Sequence, residues 1–126
     1  MKTMKQDKDV YAFIDSYPKD KAIILHKVVE EVSKITQEKP ILWGKDIIGF
    51  GNMTYSNTYV KNQPYFVIGL RLASKHMTFY LNAYQASLME FAETHNIKHG
   101  KGCFHVKKAH ERLDVVRQLV MLSERP

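Results

Sequence analysis

The sequence has a single cysteine and no long apolar run. One thiol, Cys103, cannot form an internal disulfide, which fits a reducing compartment and excludes multi-cysteine metal and redox motifs. Apolar runs span only a few residues, far below the roughly 20 that cross a bilayer. The polar residues 1–8 contain no apolar segment typical of a signal peptide. We therefore expect a cytoplasmic protein that does not associate with membranes.

Acidic residues are also scarce relative to basic ones. The chain has 13 Asp and Glu against 19 Lys and Arg, which gives a net charge of +6. A basic surface attracts polyanions, but the lysines are spread along the chain, so any nucleic-acid binding is expected to be weak and non-specific. The length of 126 residues and the 44% hydrophobic content are typical of one globular domain, here residues 1–126.

The N-terminal third predicts two helices after a frayed segment, residues 1–6. Asp7 or Asp9 can cap the first helix, and Pro18 suits the first turn of the second, which runs to about Thr36. Both helices have apolar residues at helical spacing. These are Val10, Phe13, Ile14 and Tyr17 in the first, and Leu25, Val28, Val32 and Ile35 in the second.

The middle of the chain predicts strands. Short runs rich in β-branched and aromatic residues alternate with glycines and polar turns. The runs are 41–44, 47–51, 53–55, 65–70 and 76–81, with a polar hairpin loop at 56–63 and a turn at 73–75. Gly49 and Gly51 indicate a bulge or a close approach of another group to the backbone. Consecutive strands with short turns favour an antiparallel meander.

The C-terminal third predicts a helix, a strand and a helix. Asn82 can cap a helix that runs to about His95, and Asn96 can close it in the left-handed conformation. A glycine-containing loop at 97–102 precedes a short strand, 103–106, and Asp114 is expected to cap the last helix before a frayed tail, 124–126. Grouped strands flanked by helices indicate an α+β fold with the helices packed on one face of a single, mostly antiparallel sheet.

Several segments resemble the YdhG-like family of domains of unknown function, over about residues 10–123. They are Lys39-Pro40-Ile41-Leu42-Trp43-Gly44, Ile48-Gly49-Phe50-Gly51, Phe66-Val67-Ile68-Gly69-Leu70, Lys75 with Met77-Thr78-Phe79-Tyr80-Leu81, and the run from His99 to Lys107. The resemblance implies a small α+β fold and no catalytic residues. Some members are similar to frataxin-like intracellular iron chaperones, so iron is the one cofactor that the resemblance suggests.

The leading functional hypothesis is a non-catalytic domain that binds a small, anionic ligand. Glycines can turn backbone N–H groups toward an anion and lysines add charge, as in the loop Lys98-His99-Gly100-Lys101-Gly102. We expect the ligand to lie between the 43–51 and 101–107 segments. The candidate residues are Trp43, Gly49, Gly51, Tyr55, Lys75, Lys101, Cys103 and Lys107.

Other hypotheses remain open at this point. Cys103 and His105 would share a strand face, where they could bind a metal or activate a thiolate. His95 and His99 have a helical metal-ligand spacing, although Asn96 is expected to end that helix first. Aromatic residues near lysines can also stack on nucleobases. An exposed edge strand could pair with that of a second copy to form a homodimer.

Overall fold

The computed structural model describes residues 5–6, 8–59, 61–81, 86–100 and 102–124, with the backbone alone at positions 55 and 124. The helices are α1 (Val10–Asp15), α2 (Lys19–Thr36), α3 (Ala86–Thr94) and α4 (Leu113–Glu124), with a short 3-10 helix at Ala109–Glu111. The strands are β1 (Ile41–Trp43), β2 (Ile47–Phe50), β3 (Met53–Tyr55), β4 (Gln63–Tyr65), β5 (Ile68–Leu72), β6 (Met77–Tyr80), β7 (Lys98–His99) and β8 (Cys103–Val106). The expected α+β fold is confirmed.

The two N-terminal helices begin and end where local chemistry favours it. The Asp9 carboxylate accepts a hydrogen bond of 2.9 Å from the backbone N–H of Tyr11, so it caps α1 as expected, whereas position 7 lies outside the described residues. Pro18 is the N-cap of α2, one position earlier than expected. Gln37 ends α2 in the left-handed conformation, with φ 57°.

Six strands form one fully antiparallel sheet in the order β1-β2-β5-β6-β8-β7. Three of the five strand pairs are hairpins that join consecutive strands, as in the expected meander. β2 and β5 pair across the β3–β4 segment, and β6 and β8 pair across α3 and β7. After α3 and β7, the chain returns to the sheet as β8, which lies between β6 and β7.

The expectation of a single sheet needs one correction, because β3 and β4 form a separate two-stranded sheet. The predicted strand over 65–70 is likewise wrong, since β4 ends at Tyr65 and β5 begins at Ile68. The chain turns between them at Phe66 and Val67, where the Val67 N–H donates to the Phe50 carbonyl at 3.1 Å. This turn places the Phe66 ring against Gly69 of the next strand.

The helices pack on one face of the six-stranded sheet, and the core lies between them. α2 contributes Leu25, Val28 and Val32 to this core, and α4 contributes Val116, Leu119 and Val120, all of them at most 1% exposed. The strand residues in the same core are Ile48, Phe50, Ile68, Leu70, Met77, Phe79, Phe104 and Val106. Along each strand these core residues alternate with residues on the opposite face, which is the period-two pattern of a β-sheet.

Two predictions in the C-terminal third are changed by the structure. The segment 97–102, expected to be a loop, contains the two-residue strand β7. Asp114 was expected to be the N-cap of the last helix but lies within its first turn, because α4 begins at Leu113. A carboxylate there still interacts favourably with the helix dipole. Asn96 closes α3 with φ 55°, as expected, whereas the predicted cap at position 82 lies outside the described residues.

No helix in the part of the chain that the structure describes has the length and apolar character needed to cross a membrane.

Candidate functional site

The face of the six-stranded sheet opposite the helices, here called the open face, carries the residues that alternate with the core positions. Two rows of directly paired residues run across its strands. One row is Gly49, Gly69, Tyr80 and Cys103, from β2, β5, β6 and β8. The other row is Arg71, Thr78, His105 and Lys98, from β5, β6, β8 and β7, and is called the basic row.

Aromatic rings cover the glycine end of the open face. Phe66 stacks on Tyr65 with ring centroids 4.0 Å apart, and it meets Trp43 and Tyr80 edge-to-face at 5.8 and 6.1 Å. Trp43 and Phe66 are only 1% and 2% exposed. These four rings, called the aromatic cluster, therefore form a second, smaller apolar layer on the side of the sheet away from the helices.

Glycines at two paired positions make this layer fit. A Cβ atom at Gly49 would lie 2.6 Å from Trp43 Cδ1 and 2.7 Å from Phe66 Cβ. A Cβ atom at Gly69 would lie 2.5 Å from Phe66 Cε1. Gly49 and Gly69 pair directly across β2 and β5, so together they provide a flat floor under the rings. The close approach expected at Gly49 from the sequence is thus confirmed.

The indole N–H of Trp43 is buried, and none of the described residues accepts a hydrogen bond from it. The ring of Phe66 lies edge-to-face with the indole, at an interplanar angle of 74°. Such an arrangement allows a weak interaction between an N–H group and an aromatic face.

The basic row begins with Arg71, whose guanidinium has two neighbours. Its Nη1 atom lies 3.5 Å from Asp46 Oδ2, and both side chains are 39% exposed. A hydrogen bond with Tyr80 raises the pKa of Arg71, and the Asp46 carboxylate adds to that rise. Tyr80 also touches Phe66, so Arg71 lies at the border between the basic row and the aromatic cluster.

His105 occupies the middle of the basic row and is held by two contacts. Its Nδ1 atom lies 3.1 Å from Oγ1 of Thr78, a side chain of a residue only 3% exposed. Its ring meets His76 edge-to-face with centroids 4.7 Å apart. Burial lowers the pKa of His105, and the neighbouring His76, Arg71 and Lys98 lower it further. Burial and the neighbouring cations therefore both disfavour the protonated imidazole.

Further lysines flank the basic row at the same end of the sheet. The strand pairing Leu72–Met77 and Met77–Val106 brings the turn after β5 and the turn after β8 to this end. Lys75 lies in the first turn and Lys107 in the second, and both are exposed. Two of the residues predicted from the sequence therefore lie beside the basic row.

The remaining sequence-predicted residues are divided between the two ends of the open face. Trp43 and Gly49 are in contact, and Gly51 follows β2 with φ 79°. Cys103 is half-buried at the far end of the glycine row, separated from Gly49 by β5 and β6, about 14 Å at the usual strand spacing. Lys101 and the Tyr55 side chain lie outside the described residues. The 43–51 and 103–107 segments share a face but are not neighbours.

Sequence reasoning missed Arg71 and Thr78 as candidates. Arg71 is the only charged residue in β5, and Thr78 is a polar residue in an otherwise apolar and aromatic β6. A single polar residue per strand is typical of a solvent-facing position, so neither is conspicuous alone. The signal that could have found them is their place two residues from Gly69 and Tyr80, on the same strand face.

The two metal hypotheses find little support in the geometry. Within the described residues, no group of three or more His, Cys, Asp or Glu side chains is placed to hold a metal ion. His95 and His99 do not lie on one helix, because α3 ends at Thr94 and Asn96 turns the chain away, as the sequence predicted. Cys103 and His105 do share the open face, where Cys103 pairs with Tyr80 and His105 with Thr78.

No protein-family model, curated protein or solved structure gives a significant match to this chain. Membership of the YdhG-like family therefore stays a prediction from the sequence.

Proposed function

We propose that the protein is a non-catalytic, cytoplasmic domain that binds a small oxyanion-bearing ligand at the basic row. The observation that carries the proposal is the grouping of Arg71, His105 and Lys98 in one row, which spans the four neighbouring strands β5, β6, β8 and β7. Within the described residues, Asp46 is the one carboxylate that forms an ion pair with any member of the row. The row therefore has positive charge that its own neighbours do not neutralise.

The chemistry of the row suits phosphate or carboxylate oxygens. A guanidinium offers paired N–H donors that match two oxygens at once, and an ammonium adds a second positive charge. An imidazole donates from the ring nitrogen that is not bonded to Thr78. The exposed Lys75 and Lys107 at the same end increase the local concentration of anions by long-range attraction.

The aromatic neighbour of the row suggests what else the ligand carries. Tyr80 is half-buried, hydrogen-bonds to Arg71 and is continuous with the aromatic cluster. A ligand with an oxyanion on Arg71 could place a flat or apolar group against Tyr80. Small-molecule sites commonly combine such an apolar surface with a few polar groups.

Isothermal titration calorimetry with a panel of anions tests the proposal. The panel contains inorganic phosphate, pyrophosphate, citrate and a nucleoside monophosphate, with a short single-stranded oligonucleotide to reveal charge-driven nucleic-acid binding. Arg71→Gln should weaken binding of the responding anion by roughly tenfold or more, since charge-assisted hydrogen bonds contribute about 1.5–3 kcal/mol.

Arg117→Gln is the matched control. Arg117 lies on α4, is 55% exposed, and pairs with Glu31 of α2 at 3.5 Å, the same separation as the Arg71–Asp46 pair. Both substitutions remove one positive charge from an ion pair, but only Arg71 belongs to the open face. Equal weakening by the two variants would mean that binding follows net charge, and no response to any anion would end the proposal.

A further inference from the structure

The imidazole of His105, in the basic row, is in direct contact with that of His76 beside the row. This contact gives the site a property that a simple lysine cluster lacks. The His76 and His105 rings are 4.7 Å apart at an angle of 72°. Within the described residues, no ion pair joins either ring to a carboxylate. Protonating both rings would therefore place two like charges side by side.

Four groups face His105 from the surrounding elements. Three of them can carry positive charge and so disfavour its protonation, and the fourth is the neutral hydroxyl of Thr78. Arg71 faces it from β5, Thr78 and His76 from β6 and the turn before it, and Lys98 from β7. Lys107 follows two positions later, in the turn after β8. Burial adds to the effect of these cations and lowers the pKa of His105.

We infer that the site takes up protons when it binds a doubly charged oxyanion, because the bound anion compensates the charge of the His76–His105 pair. This inference rests on the proposed function. An anion on the basic row adds negative charge beside the two rings, so it stabilises their protonated form. By thermodynamic linkage, an anion that favours protonation must itself bind more tightly as the pH falls.

Thr78 is the positioning residue in this arrangement. Its hydroxyl can donate to Nδ1 of the neutral ring and accept from Nδ1–H of the protonated ring, so the 3.1 Å contact serves both states. Nε2 then carries a proton in either state and stays available as a donor to the anion. Thr78→Val removes both hydrogen bonds, whereas Thr78→Ser keeps the hydroxyl and should rescue the pH profile.

Sulfate is the suitable probe because it keeps both charges throughout the range in which histidine titrates. As the pH falls below neutral, the affinity for sulfate should rise by about tenfold per pH unit for each proton that binding takes up. Calorimetry in buffers of different ionisation enthalpy counts those protons directly. His76→Gln and His105→Gln should each reduce the count, whereas His26→Gln, a change in a histidine paired with Asp15 on the helical side, should leave it unchanged.

Nuclear magnetic resonance of the histidine rings separates failure of this inference from failure of the proposed function. Added sulfate should raise the titration midpoint of His105 and leave the ring resonances of His26 unmoved. If sulfate binds with an affinity that does not depend on pH, or with the same pH dependence in His105→Gln, the inference is overturned and the proposed function stands. If sulfate does not bind at any pH, the inference is overturned, and if no anion of the panel binds either, the proposed function is overturned with it.

Discussion

The paired glycines beneath the aromatic cluster lead to a sharp stability prediction, the effect of Gly69→Ala. The three atoms nearest to the new Cβ would all belong to the Phe66 ring, at 2.5, 2.8 and 3.0 Å. Separations this short require the ring to move. Tyr65, Trp43 and Tyr80 surround that ring, so its movement disturbs the whole cluster.

The expected cost is that of overpacking a well-packed core, about 1–3 kcal/mol. Alanine also restricts the unfolded chain, which offsets the loss by about 0.4–1 kcal/mol where the native conformation allows it. At an unfolding entropy of about 2 cal/mol/K per residue, each kcal/mol corresponds to roughly 4 °C for a domain of this size. With the smaller offset the net cost is about 0.6–2.6 kcal/mol, so we expect Gly69→Ala to lower the melting temperature by about 2–10 °C.

Thermal and urea denaturation, each followed by tryptophan fluorescence and by circular dichroism, measure the effect on melting temperature and on the free energy of unfolding. The chain has one tryptophan, Trp43, and it belongs to the disturbed cluster. Gly100→Ala is the matched control, because Gly100 is exposed and its Cβ would lie 3.3 Å from the Cys103 sulfur, its one close neighbour within 4 Å. That change should stay within about 0.5 kcal/mol, as for other surface substitutions.

A double-mutant cycle identifies the cause. In a Phe66→Leu background the ring is gone, so Gly69→Ala should cost less than in the wild type, with a coupling of at least about 0.5 kcal/mol. Strictly additive effects would show that the contact with the Phe66 ring is not responsible. An unchanged stability of Gly69→Ala alone would show that a Cβ atom at this position does not displace the ring.

Three further predictions concern other residues. Burial raises the pKa of Tyr17, and the charge of the Asp46 carboxylate raises it further. Asp46→Asn should therefore lower that pKa, which ultraviolet titration of the phenol measures; an unchanged pKa would contradict the influence of Asp46. A histidine whose pKa is lowered in the folded state stabilises the protein at pH values above its ordinary pKa of about 6.5, and this contribution is lost as the pH falls through the folded-state pKa. His105→Gln should therefore reduce the loss of stability on acidification, and parallel curves of melting temperature against pH for the variant and the wild type would argue against this. Gln37→Gly should raise stability by up to about 1 kcal/mol, since φ is 57° there and the residue is exposed, and a loss in chemical denaturation would refute this.

The elements that the sequence predicted well are those whose signals are local. Asn96 ends α3 because asparagine tolerates a positive φ, and the strand 103–106 shows its alternation within four residues. The face of α4 that contains Val116, Leu119 and Val120 is likewise set by spacing alone.

The elements that were missed depend on distant parts of the chain. The break between β4 and β5 follows from the packing of Phe66 on Gly69, and no feature of the apolar run 65–70 distinguishes it from a continuous strand. β7 consists of two polar residues and is a strand only because β8 pairs with it. Local propensity carries little information about such non-local pairing.

The candidate site illustrates the same limit. Lys75 and Lys107 were proposed from the sequence, and they lie at the end of the sheet that carries the basic row. Arg71 could not be grouped with His105 and Lys98 without the strand order, because their closeness arises only when β5, β6, β8 and β7 are neighbours. The roles of all these residues remain predictions.

The two outer edges of the six-stranded sheet bear on how the protein behaves at high concentration. At one edge, Lys5 forms a bridge with Trp43, and the Gln6 N–H donates to the Leu42 carbonyl at 2.7 Å. The other edge is β7, which is two residues long and consists of Lys98 and His99. Unpaired edge strands are templates for aggregation, and natural sheets limit it with short or charged edges and with covering segments. Both edges here have such protection, which disfavours open-ended edge-to-edge pairing between copies of the sheet.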